Sequence, residues 1–173
     1  MDAHFVETFK VVPMAEPENH TGTMTEEWVC VKNAHKATFL LYCGSIATGG
    51  AIQLGVADDA SGTNSTYTPA SMDLEMPHYW VSNAATAAAS CDVFTKTTVT
   101  SSTFNVATGD DGKLFVIEVD TSKLGQFTSG SSTSVDATYI SLKATLAGAD
   151  FVSCVCILTG MRYQEDAPAT VIA

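Results

Sequence analysis

The apolar residues of this chain fall almost end to end into short runs of strand length, separated by gaps rich in Gly, Pro, Asn, Asp, Ser and Thr. Thr138 to Leu146 is the cleanest case. Tyr139, Ser141, Lys143 and Thr145 alternate with Ile140, Leu142, Ala144 and Leu146, the pattern of an antiparallel strand with one face on a core and one toward solvent. Ala37 to Cys43 and Phe151 to Leu158 are apolar on both faces and read as central strands. Further strands are expected at Phe5 to Val12, Trp28 to Lys32, Ala51 to Ala57, Tyr79 to Val81, Asp92 to Thr98, Thr103 to Ala107 and Leu114 to Val119. About eight to ten short strands with turn signals between them point to an all-β chain. The expected fold is a single-domain antiparallel β-sandwich over residues 1–173, jelly-roll-like, with extended termini and one long loop.

The gaps carry their own expectations. Pro13 should end the first strand, leaving Met14 to Thr25 as an acidic loop or arm, so that residues 1–25 form a strand plus arm. Asp58 to Pro77 is the longest stretch without a strong pattern, with a short strand near Tyr67, and its length makes it a candidate contact surface. Gly109-Asp110-Asp111-Gly112 is a hairpin signal, because Asp and Gly tolerate positive φ. Thr121 to Leu124 suits one helical turn, Ser129 to Ser134 a loop tip, and Gln164 to Ala173 a tail with an apolar end.

Charge excludes whole classes of partner. Nineteen Asp and Glu stand against eight Lys and Arg, a formal net charge of −11 with Arg162 as the single arginine. Such a surface cannot replace the counterions of a nucleic acid or gather on an anionic membrane. It suits a solvated surface or a partner with basic patches. The opening MDAHFVETFKVV lacks a basic segment followed by an apolar one, so no secretory leader is expected. The sequons at Asn19 and Asn64 then carry little meaning.

No pattern of catalytic chemistry emerges. The phosphate-binding loops G-x-x-x-x-G-K-[ST] and G-x-G-x-x-G are absent, as is the nucleophile elbow G-x-S-x-G. His4, His20, His35 and His78 are scattered and read as surface or turn histidines. Cys30, Cys43, Cys91, Cys154 and Cys156 lack zinc-ligand spacing and read as reduced, buried small hydrophobes made in a reducing compartment. Asp58-Asp59 and Asp110-Asp111 do not match a calcium loop and read as turn formers. No catalytic residue, metal or cofactor is therefore expected. The candidate partner contacts are the acidic arm residues Glu16, Glu18 and Glu26, with Glu27 beside them, the turn carboxylates Asp58 and Asp59, and the aromatic patch His78, Tyr79 and Trp80.

Four segments carry a resemblance: FVETFKVVP (Phe5 to Pro13), VKNAHKA (Val31 to Ala37), LFVIEVD (Leu114 to Asp120) and ILTGMRY (Ile157 to Tyr163). With them the chain resembles small virion structural proteins of tailed bacteriophages, in particular head decoration (cement) proteins. The resemblance implies a non-enzymatic protein made in the host bacterial cytoplasm. It would sit on the capsid surface, most often as a homotrimer, with the major capsid protein as partner and no cofactor, nucleic acid or membrane. The family transfers no catalytic residues. A neck or tail component, or a module binding host glycans through Met76 to Trp80 and the Asp58 to Pro77 loop, is the alternative. A hydrolase with an unrecognised site is a third class.

Overall fold

The computed structural model describes residue 5 and residues 9–24, 27–67, 76–100, 103–128 and 134–160. Among them are thirteen strands, every pair antiparallel. They are β1 (Lys10–His20), β2 (Val29–Cys30), β3 (Lys36–Cys43), β4 (Gly50–Ala57), β5 (Ser65–Tyr67), β6 (His78–Ser82), β7 (Phe94–Thr98), β8 (Phe104–Val106), β9 (Leu114–Asp120), β10 (Gln126–Thr128), β11 (Ser134–Asp136), β12 (Tyr139–Leu146) and β13 (Asp150–Thr159). One sheet has six strands in the order β1-β13-β3-β9-β6-β7. The other runs β2-β12-β4-β5, with β8 beside the first half of β4 and β5 beside the second. β10 and β11 form a separate ribbon.

The two sheets share one core, as the period-two patterning requires. Val12, Phe39, Leu41, Ile117, Val119, Val152 and Leu158 of the first sheet join Ile52, Leu54, Val56, Ile140, Leu142 and Ala144 of the second. The fold is thus an antiparallel β-sandwich, as expected. A jelly roll places eight strands in two Greek keys. The sheets here have six and five strands, a sandwich architecture.

A buried carboxylate ties the turns at one end. Asp150 is fully buried at the start of β13. Its Oδ1 accepts from the backbone N–H groups of Thr48 (2.9 Å) and Gly49 (3.2 Å), and its Oδ2 accepts from Gly49 (3.2 Å) and Gly148 (3.3 Å). Burial pushes the Asp150 pKa up, but the N–H groups of Thr48, Gly49, Gly148 and Ala47 prevail and hold it below the ordinary value. Gly49 makes this possible. Its φ is +80°, and a Cβ there would lie 2.2 Å from the Val106 carbonyl oxygen.

Three expectations need correction. The arm is strand: β1 runs through Pro13 and Pro17 to His20. Proline is tolerated because β1 is an edge strand whose register with β13 shifts between Pro13 and Ala15 and between Ala15 and Glu18. Gly109–Gly112 does not make a hairpin, since β8 pairs with β4 while β9 pairs with β3 and β6. The turn instead crosses between sheets, pinned by Asp111 Oδ1 accepting from Ile46 N at 2.6 Å and Asp110 Oδ2 accepting from Ala107 N at 2.9 Å. The outer face of β12 is not wholly solvated. Ser141, in register with Gly55, is fully buried. Trp28 and Tyr67 lie over Gly55, and Lys143 Nζ sits 4.3 Å from the Tyr67 ring centroid. The expected short strand near Tyr67 (β5) and the turn at Thr121–Lys123 are present. Residues 161–173 lie outside the described residues, with the apolar tail among them.

Candidate functional site

The candidate contacts separate into three places. Glu16 and Glu18 are exposed on β1 at the rim of the first sheet. Glu26 lies outside the described residues. Asp58 and Asp59 sit beyond β4 in the second sheet, where they build a turn. Asp59 Oδ1 accepts from Ser61 N at 2.8 Å and Ser61 Oγ at 2.7 Å, and Asn64 Nδ2 donates to Asp58 Oδ2 at 3.3 Å. The Ser61 hydroxyl, ahead of the opposing effect of burial, keeps the Asp59 pKa below its ordinary value. Among the described residues no three His, Cys, Asp or Glu side chains converge as a metal site.

His78, Tyr79 and Trp80 share β6 but not a face, because strand neighbours point to opposite sides. Tyr79 turns inward and stacks on Phe104, ring centroids 4.2 Å apart, and on Phe115 at 6.0 Å. It is a packing residue. His78 and Trp80 turn outward, 6.4 Å apart, with Lys96 Nζ 5.6 Å from the Trp80 ring centroid. They line a groove of about 290 Å³ with Glu118, Asp120, His35 and Lys36. Lys36 Nζ lies 3.3 Å from Glu118 Oε1.

Trp80 also closes a feature that strand-by-strand reading misses. Registers place Pro13 beside Val155, Val155 beside Leu40, Leu40 beside Val116, and Val116 beside Trp80. All five lie on the outer face, opposite the core residues that alternate with them. Val155, Leu40, Val116 and Trp80 are half-buried and Pro13 is exposed. An apolar row thus crosses five strands on the side turned away from the core. The apolar character of both faces of β3 and β13 was legible in the sequence, but only the register shows that their outer residues align.

His20 was also missed. It is not a turn histidine but the buried end of β1, 7% exposed, with Nε2 lacking a hydrogen-bond partner among the described residues and Nδ1 3.9 Å from Glu18 Oε1. No local pattern marks it, since Glu16 and Glu18, four and two residues before it on the strand, are exposed.

The cysteines are reduced and four of the five are buried. Burial raises the Cys43 and Cys156 pKa values to about 12 and lifts Cys154 well above its ordinary value. A disulfide-exchange reagent is therefore expected to label Cys91, the half-exposed thiol, quickly in native protein. Cys43, Cys154 and Cys156 should react only on unfolding, as mass mapping of the labelled peptides would show. Fast labelling of any of these three would contradict the packing.

Comparison with family models, with curated proteins and with solved structures finds no match to this chain.

Proposed function

We propose that this chain is a non-enzymatic virion structural protein. It binds and stabilises an assembled phage capsid shell as a decoration protein, with the major capsid protein as partner and a homotrimer as its working form. The observation that carries the reading is the outer apolar row Pro13-Val155-Leu40-Val116-Trp80. A contiguous apolar strip on a sheet face is a surface for protein contact. The net charge of −11 keeps free subunits apart in solution. The resemblance to head decoration proteins supplies the partner. Many identical weak contacts on a shell then combine through multivalency.

Leu40→Glu tests this reading. The side chain lies outside the core, so folding stability should change by about 1 kcal/mol or less. Affinity for shells lacking this protein should fall about a hundredfold, because a carboxylate would be buried unpaired in the interface. Binding unchanged in a sedimentation assay would remove the row from the contact.

The Trp80 groove favours one other reading, a module that holds a host glycan by stacking a sugar on the indole. Glycan-array binding that disappears in Trp80→Ala would select it, and an array without signal would set it aside.

A further inference from the structure

We infer that the free edge of β7 pairs with the β7 edge of a second copy of this chain, antiparallel across a two-fold axis, joining the six-stranded sheets of two molecules. β1 and β7 are the two edges of that sheet. β1 is guarded: Pro13 and Pro17 have no N–H, and two register shifts break its line. β7 has neither device, and among the described residues it pairs only with β6. Asn83 N donates to the Val93 carbonyl at 2.8 Å, and Val99 N donates to the Pro77 carbonyl at 2.9 Å. Hydrogen-bonded pairs alternate along an antiparallel ladder, so Thr95 and Thr97 also turn their backbone groups toward β6. The N–H and C=O groups of Phe94, Lys96 and Thr98 therefore face outward on an open edge.

Charge and apolar exposure identify the occupant. The net charge of −11 holds copies apart, yet residues 76–109, which include β6, β7 and β8, contain one carboxylate, Asp92, of the nineteen in the chain. A second copy can approach here with little repulsion. Four large apolar side chains are exposed among the described residues, and two of them, Val93 (49%) and Phe94 (38%), lie at this edge. An antiparallel edge is also self-complementary, as a two-fold axis requires. A lysine guards an edge when its charge projects across it. The Lys96 ammonium instead lies 5.6 Å from the centroid of its own Trp80 ring. In the pairing, Phe94 stands beside Lys96 of the other copy, and Thr95 faces its own counterpart on the axis. A register centred on Lys96 would set two ammonium groups side by side, which opposes pairing. One centred on Thr97 would leave Phe94 beyond the paired strand. The contact goes beyond the capsid reading and can join two trimers as readily as two single chains.

The test uses the isolated full chain. Sedimentation equilibrium should show its mass doubling as concentration rises. Salt should strengthen this association by screening the like net charges. Lys96→Pro removes a central outward N–H, and Phe94→Lys sets like charges together across the edge. Both residues are exposed, so the fold should persist, with an unchanged melting temperature as the control. Each variant should hold the undoubled mass at every concentration. In a Cys91→Ser background, which removes the half-exposed native thiol, Thr95→Cys should form a disulfide-linked dimer on mild oxidation. The paired Cα atoms would lie about 4.5 Å apart, within disulfide reach. Thr97→Cys should not link, since its counterpart would be about 13 Å away along the strand. A wild-type mass that never doubles, or that doubles equally in both edge variants, overturns the inference. So does association that salt weakens, which would show ion pairs elsewhere. Linkage at position 97 and not at 95 overturns the register. None of these readouts involves a capsid, so failure here leaves the capsid reading standing.

Discussion

Asp150→Ala is expected to cost about 3 kcal/mol of folding stability, because buried N–H groups left without an acceptor cost about 1–3 kcal/mol each. Thr48, Gly49 and Gly148 lose their acceptor together. Thr48 is exposed and water can replace its bond, so the loss concentrates on Gly49. For a chain of this length that corresponds to a fall in Tm of about 9 °C. Asp150→Asn should cost less, since its carbonyl oxygen still accepts while its amide opposes one N–H. The same site sets an acid limit. The native Asp150 pKa is lowered, so its contribution is fully present above the unfolded carboxyl value near 4 and is lost as pH falls through the native value. Urea midpoints for wild type and Asp150→Asn should therefore differ at neutral pH and draw together in acid. A gap that stays constant with pH would show that the carboxylate charge is not what the turns hold.

Phe39→Ala should be the most damaging core substitution, about 3–5 kcal/mol, combining lost transfer energy with the cavity left behind. Phe39 is fully buried in β3, in register with Cys156 on one side and Ile117 on the other. Native domains have a net stability of about 5–15 kcal/mol, so this variant should melt early or accumulate unfolded. Leu40→Ala, one residue along but on the outer face, should cost far less. Equal losses at positions 39 and 40 in calorimetry would contradict the assignment of faces.

That contrast also shows how much the sequence disclosed. Alternation from Tyr139 to Leu146 predicted β12 to the residue at its C-terminal end, because period two is a local property of a half-buried strand. Proline misled the reading of β1. The rule that proline ends strands holds for central strands, and nothing local marks residues 10–20 as an edge. Gly109–Gly112 signals a reversal correctly, but which sheets it joins depends on distant pairing. The site was less legible for the same reason. Trp80 was visible as an aromatic, yet its row with Val116, Leu40 and Val155 exists only through registers among four strands. Tyr79 was grouped with Trp80 by proximity in sequence, and the pleat separates them.

The most direct test of the capsid reading is the copy number of this chain in purified phage particles, by quantitative mass spectrometry against the major capsid protein. A fixed ratio to the shell, at many copies per particle, is the predicted result. A few copies per particle would move the chain to the neck or tail, and its absence from particles would contradict the virion assignment altogether.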